Sequence, residues 1–145
     1  MRTEGFRFAK MHELKASDLE LDLHNDYDFL GFESDMERKT LTLNWQRTEG
    51  EWVRESLPLA IEVEIRNFVR MKFRPAADSS ALTGSQTLSF IGHLHPEEWD
   101  EMDGCLDDEH PPSDHDFIVG FEDGAAVKVR GGIAEIRLSG NALSK

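Results

Sequence analysis

The stretch Ile61-Glu62-Val63-Glu64-Ile65-Arg66-Asn67-Phe68-Val69-Arg70-Met71-Lys72-Phe73-Arg74 decides the fold class. Ile61, Val63, Ile65, Val69, Met71 and Phe73 share one parity, while Glu62, Glu64, Arg66, Arg70, Lys72 and Arg74 share the other. Alternate side chains of a strand point to opposite faces, so this spacing predicts one long strand, or two separated by a bend near Asn67, with a buried face and a charged face. The charged face passes from acidic to basic along its length. Phe68 falls on that polar parity, which marks its ring as exposed and suited to a protein contact. The row Arg66, Arg70, Lys72 and Arg74 is the one feature suited to phosphate, and pairing with a neighbouring acidic segment explains it better.

Upstream, Tyr27, Phe29 and Leu30 form an aromatic run ending at Glu33-Ser34-Asp35. Leu41, Leu43 and Trp45 then alternate with Thr40, Thr42 and Asn44, so two strands joined by a short loop are expected. Thr48-Glu49-Gly50-Glu51 is a turn signal, followed by an expected strand around Trp52–Leu57 that Pro58 closes. Residues 1–25 fit a short helix or an edge strand.

Downstream, Asp78–Gln86 has loop composition and Thr87–Leu94 strand composition. Asp123-Gly124 and Gly131-Gly132 suit two-residue hairpin turns, which predicts a C-terminal three-strand meander. In that register Val129 pairs with Ala134, Val127 with Ile136 and Ala125 with Leu138, Lys128 faces Glu135, and Ile118 joins the Val127 face. Phe117, Val119 and Phe121 take the opposite face, so the meander is apolar on both sides and needs cover on each. The expected fold is mainly β, with an α+β arrangement as the variant: an antiparallel sheet or sandwich with one or two short helices.

A chain of 145 residues fits a single globular domain, 1–145, and its nine Phe and three Trp supply apolar area for a core. No apolar run approaches the roughly 20 residues that span a bilayer, and the start lacks a signal-peptide pattern, so a cytoplasmic protein is expected. The lone Cys105 has no internal disulfide partner, and Asp103, Asp107 and Asp108 beside it disfavour a thiolate.

No Lys or Arg occurs between Arg74 and Lys128, and the thirteen carboxylates in that gap equal the whole formal net charge of −13. Ten of them, with four of the six histidines, lie in His93–Asp116. Such a charge repels nucleic acid and anionic membranes and attracts cationic partners. Trp99, Met102 and Leu106 recur at intervals of three and four, which predicts a short acidic helix over Glu97–Asp108 opened by Pro96. Its carboxylates Asp100, Asp103, Asp107, Asp108 and Glu109 are the expected contact points for a basic protein partner, in the manner of an inhibitor or immunity protein. Two-faced apolar strands and Phe68 also suit a homodimer.

The alternative is a divalent metal on His93, His95 and His115, since residues two apart on a strand project from one face. Gly92-His93-Leu94-His95-Pro96-Glu97-Glu98 partly resembles the first metal motif of the cupins, β proteins that bring a His pair and a Glu together, which implies a metal at His93 and His95. The spacing of the glycine and the downstream Glu differs from that motif, and the second cupin motif has no counterpart. The acidic positions do not follow the calcium-loop spacing. No nucleophile elbow, phosphate-binding glycine loop or His-Glu-x-x-His motif is present, so a binding role is expected ahead of an enzymatic one, with no cofactor.

Overall fold

The computed structural model describes residues 1–54, 56–76, 87–106 and 108–141. The expected loop Asp78–Gln86 lies outside the described residues. The chain is mainly β, with 56% in strands and 2% in helix. Twelve strands are described: β1 (Arg2–Glu4), β2 (Arg7–Ala9), β3 (Glu13–Ala16), β4 (Leu19–Asp22), β5 (Tyr27–Asp35), β6 (Thr40–Arg47), β7 (Pro58–Arg66), β8 (Arg70–Arg74), β9 (Leu88–Leu94), β10 (Asp116–Phe121), β11 (Ala126–Arg130) and β12 (Ile133–Asn141). They form a five-stranded sheet β1-β12-β7-β6-β5, a four-stranded sheet β8-β11-β10-β9 and a three-stranded sheet β2-β3-β4. Every described pairing is antiparallel except that of β1 with β12.

The two larger sheets pack face to face over one apolar core. Leu41, Leu43, Trp45, Ile61, Val63 and Ile65 fill it from the first sheet, and Ile91, Phe117, Val119, Val127 and Val129 from the second. The rings of Phe29 and Phe121 meet across the interface at 4.4 Å. In the small sheet Phe8, Leu14 and Leu21 stand in register on one face and join the same core. The outer face of the first sheet carries a ladder of charge, with Arg137 bonded to Glu62 at 2.6 Å and Glu64 at 3.2 Å.

The alternation of 61–74 is two strands, as the bend at Asn67 predicted, but they belong to different sheets. Asn67 has φ of 60°, and this left-handed residue turns the chain so that Phe68 enters the core at 3% exposed while Val69 is 70% exposed. Phe68 is therefore a core residue rather than a contact surface.

Other expectations need correction. Residues 1–25 are neither a helix nor one edge strand but hold four short strands. Glu33-Ser34-Asp35 still belong to β5, and the turn comes after them, where Asp35 Oδ1 accepts the amides of Glu37 and Arg38. The described residues of 52–57 form no strand, because Val53 N–H bonds back to Gly50 O and Leu57 N–H to Arg54 O. Pro58 opens β7 instead of closing a strand. Over Glu97–Asp108 the described helix is a 3₁₀ turn, Pro96–Glu98.

The C-terminal meander stops after its first hairpin. β10 and β11 pair, with Phe117 opposite Val129 and Val119 opposite Val127. The turn is wider than two residues, since Phe121 N–H bonds to Ala125 O and Gly124 N–H to Phe121 O. That slips the register by one residue and moves Phe117, Val119 and Phe121 onto the Val127 face. At Gly131-Gly132 the chain crosses to the other sheet, so β12 pairs with β7, and Val63, not Val127, stands opposite Ile136. Lys128 and Glu135 lie in different sheets and do not pair. The expected cover on both sides of the hairpin is present: Ile118 and Ala126 face a second apolar group of Phe90, Leu94 and Met102.

Gly131 and Gly132 have φ of 76° and 82°. A Cβ on Gly132 would stand 2.4 Å from the Arg66 carbonyl oxygen, whereas one on Gly131 would meet the Val69 side chain at 2.9 Å. Gly132→Ala is expected to cost at least about 2 kcal/mol and more than Gly131→Ala, because a methyl group yields more easily than backbone. Denaturant unfolding of both variants measures this, and equal costs would contradict it.

Candidate functional site

The site is the segment 95–116 and the sheet face beneath it. The register of β8 and β11 places Arg70 opposite Arg130 and Lys72 opposite Lys128, with Arg74 opposite Ala126. Five cations thus share one face of the second sheet, an arrangement that repels itself unless something accepts from it.

The acidic segment does so, largely through its backbone. Lys128 is 0% exposed, and its ammonium donates to the carbonyl oxygens of Glu98 at 2.7 Å and Trp99 at 3.1 Å, and to that of Glu101. An ammonium has three N–H donors, so three carbonyls satisfy it fully. Burial pushes the Lys128 pKa down, and Asp116 opposes that shift. Arg130 donates to Pro96 O at 2.5 Å and holds the buried Asp116 through two bonds of 2.8 and 2.9 Å. The Trp99 ring lies over Arg70 and Arg130, 4.0 and 4.7 Å from the guanidinium carbons. Met102 fills the apolar pocket above Ile118 and Ala126.

These contacts explain why the described residues of 97–108 do not continue as a helix: the carbonyls of Glu98, Trp99 and Glu101 are drawn toward Lys128, and that of Pro96 just before them toward Arg130. Leu106 instead pairs with the edge strand β9 through two bonds to His93. Gly92 permits this approach, because a Cβ there would stand 2.2 Å from Leu106 O.

With the backbone held inward, the carboxylates point out. Glu97, Glu98, Asp100, Glu101, Asp103 and Asp108 are all exposed. Of the five carboxylates expected from the sequence, Asp100 is 99% exposed and touches Lys72 at 3.2 Å, Asp103 touches Arg74 at 2.7 Å, and Glu109 touches Lys15 at 3.1 Å and Arg7 at 3.6 Å. The Lys15 hydrogen bond holds the Glu109 pKa below its usual value. Asp107 lies outside the described residues. Glu97 and Glu98 were not singled out in the sequence, where nothing separates inward from outward carboxylates.

His115 lies beside both His93 and His95 next to this segment, but the ring nitrogens of the three do not all lie within 4.8 Å of one another. The His115 ring lies 5.0 Å from that of His93 and 4.5 Å from that of His95. His93 Nε2 lies 3.3 Å from Asp108 O, which can only accept, so His93 Nε2 carries the proton. His93 Nδ1 is then the acceptor for His115 Nδ1–H at 2.8 Å. A metal on His93 would have to displace that proton.

No protein-family model, curated protein or solved structure matches the chain. No helix among the described residues is long and apolar enough to cross a membrane.

Burial lowers the His93 pKa below 6.5, aided by His115 and the Met1 ammonium and opposed by the Asp108 hydrogen bond and the Asp108 charge. The unfolded chain takes up a proton there that the folded chain refuses. This contribution to stability is therefore intact above about pH 6.5 and lost as the pH falls toward the lower folded value. Denaturant unfolding across that window is expected to show a steeper loss in the native chain than in His93→Gln. Parallel profiles would contradict it.

Proposed function

We propose that this protein is a binding module for a basic protein partner, and that the segment 97–109 is its contact surface. One observation carries the proposal: buried Lys128 takes up the carbonyls of Glu98, Trp99 and Glu101, while the carboxylates of Glu97, Glu98, Asp100, Glu101, Asp103 and Asp108 are exposed. Preorganised like charge of this kind speeds association with a cationic surface and selects against anionic ones. The ion pairs of Asp100 and Asp103 are exposed pairs worth about 0–1 kcal/mol each, so a partner's Arg and Lys can replace Lys72 and Arg74 at small cost. Glu97, Glu98 and Asp108 have no Lys or Arg ion pair among the described residues and supply the first contacts.

An oligo-arginine peptide titrated against three forms of the full chain tests this. One is native, one carries Glu97→Gln, Glu98→Gln, Asp100→Asn and Asp108→Asn, and one carries Asp18→Asn, Glu20→Gln, Glu33→Gln and Glu37→Gln, an equal loss of charge elsewhere. At low salt the segment variant is expected to bind at least about tenfold more weakly and the control less than about threefold. Equal losses would mean diffuse attraction to the net charge and no contact surface.

A further inference from the structure

A second constellation lies outside the acidic segment, on the small N-terminal sheet. Glu13 of β3 and Asp22 of β4 are directly opposite partners on adjacent strands. Like charges in that position repel, and here the repulsion is little screened, because Glu13 is only 8% exposed. Among the described residues, the cation paired with Glu13 is Lys10, 3.9 Å away on a largely exposed side chain. His12, at the end of the β2–β3 turn, completes the group. Its Nδ1 lies 3.2 Å from Asp22 Oδ1, and ligand atoms of His12, Glu13 and Asp22 all fall within 4.8 Å of one another.

We propose that His12, Glu13 and Asp22 bind a first-row divalent transition metal of the zinc type. The charge fits, since a dication relieves the opposed carboxylates. The distances fit as well. Asp22 Oδ1 only accepts, so His12 Nδ1 carries a proton that the ion would displace, and the 3.2 Å between the two atoms lies within the roughly 3.0–3.5 Å that separates two ligands about 2.0–2.2 Å from one ion. The imidazole selects zinc or nickel ahead of manganese, calcium or magnesium, which favour oxygen ligands.

The surroundings hold the ligands in place. Asp22 Oδ1 accepts the amides of His24 at 3.0 Å and Asn25 at 2.9 Å, and Oδ2 accepts the Asn25 side chain at 2.8 Å. Such bonds orient a carboxylate toward its ion. His24 lies alongside, its ring 6.0 Å from that of His12. Its Nδ1 donates to Leu88 O at 2.6 Å, which ties the turn after β4 to β9. The bound ion would join β3 to β4 and act as a staple for the small sheet.

The test is titration of the chelator-treated full chain with zinc, manganese, calcium and magnesium, followed by calorimetry and thermal unfolding, with the visible spectrum of the cobalt form as a readout of coordination. Zinc is expected to bind one site and raise Tm, with manganese, calcium and magnesium weaker. His12→Ala and Glu13→Gln are each expected to lower the affinity at least about tenfold and change the cobalt spectrum, while His115→Ala leaves both unchanged. Equal small shifts with all four ions would overturn the proposal. So would loss of binding in His115→Ala with retention in His12→Ala, which would place the ion at His93, His95 and His115.

Discussion

A buried ammonium organises the face of this protein that carries the acidic segment. Lys128 sits in a strand with no exposed surface, opposite Lys72 and beside Arg130, and it needs acceptors that the sheet itself cannot give. The segment after β9 supplies three carbonyls. Leaving those groups apart would cost several kcal/mol, because a charged donor without partners is far more expensive to bury than a satisfied one. The rest of the site follows from that requirement. The backbone turns inward, Met102 closes the apolar pocket, Gly92 gives the room and the carboxylates are left facing water.

The same chain that makes this face also ties the sandwich together. β7 and β8 are consecutive in sequence yet lie in different sheets, and so are β11 and β12. Each crossing uses residues held at positive φ, Asn67 in one case and Gly131-Gly132 in the other. The crossings adjoin: Val69 N–H bonds to Arg130 O at 2.7 Å, and Gly132 lies against the Arg66 carbonyl. Both sheets are thereby joined at one corner.

Strands with one buried face were legible in the sequence, because period-two alternation reports burial directly, as it does for β6 and β7. What alternation does not report is where a strand pairs. β11 and β12 look like a hairpin because Gly131-Gly132 satisfies the local geometry of a turn as well as that of a crossing. The β10–β11 register turned on one residue of turn length, enough to exchange the faces of Ile118 and Val119. Phe68 was misplaced because a single left-handed Asn67 inverts parity. The acidic segment was located by its charge, but its conformation was set by Lys128 and Arg130, about thirty residues away. A periodicity of three and four over Trp99, Met102 and Leu106 carries no trace of those donors. The nearness of His115 to His93 and His95 required the β9–β10 pairing, which no local spacing reports. His12, Glu13 and Asp22 were not legible, since their closeness depends on two hairpins in a region without clear periodicity.

Amide hydrogen exchange of the native chain and of Lys128→Met tests the central claim most directly. If Lys128 holds the segment, the amides of Glu98 and Glu101, bonded to His95 O and Glu98 O, exchange at least about tenfold faster in the variant while those of β6 and β7 keep their protection. Unchanged exchange at Glu98 and Glu101, or an equal rise throughout both sheets, would contradict the account.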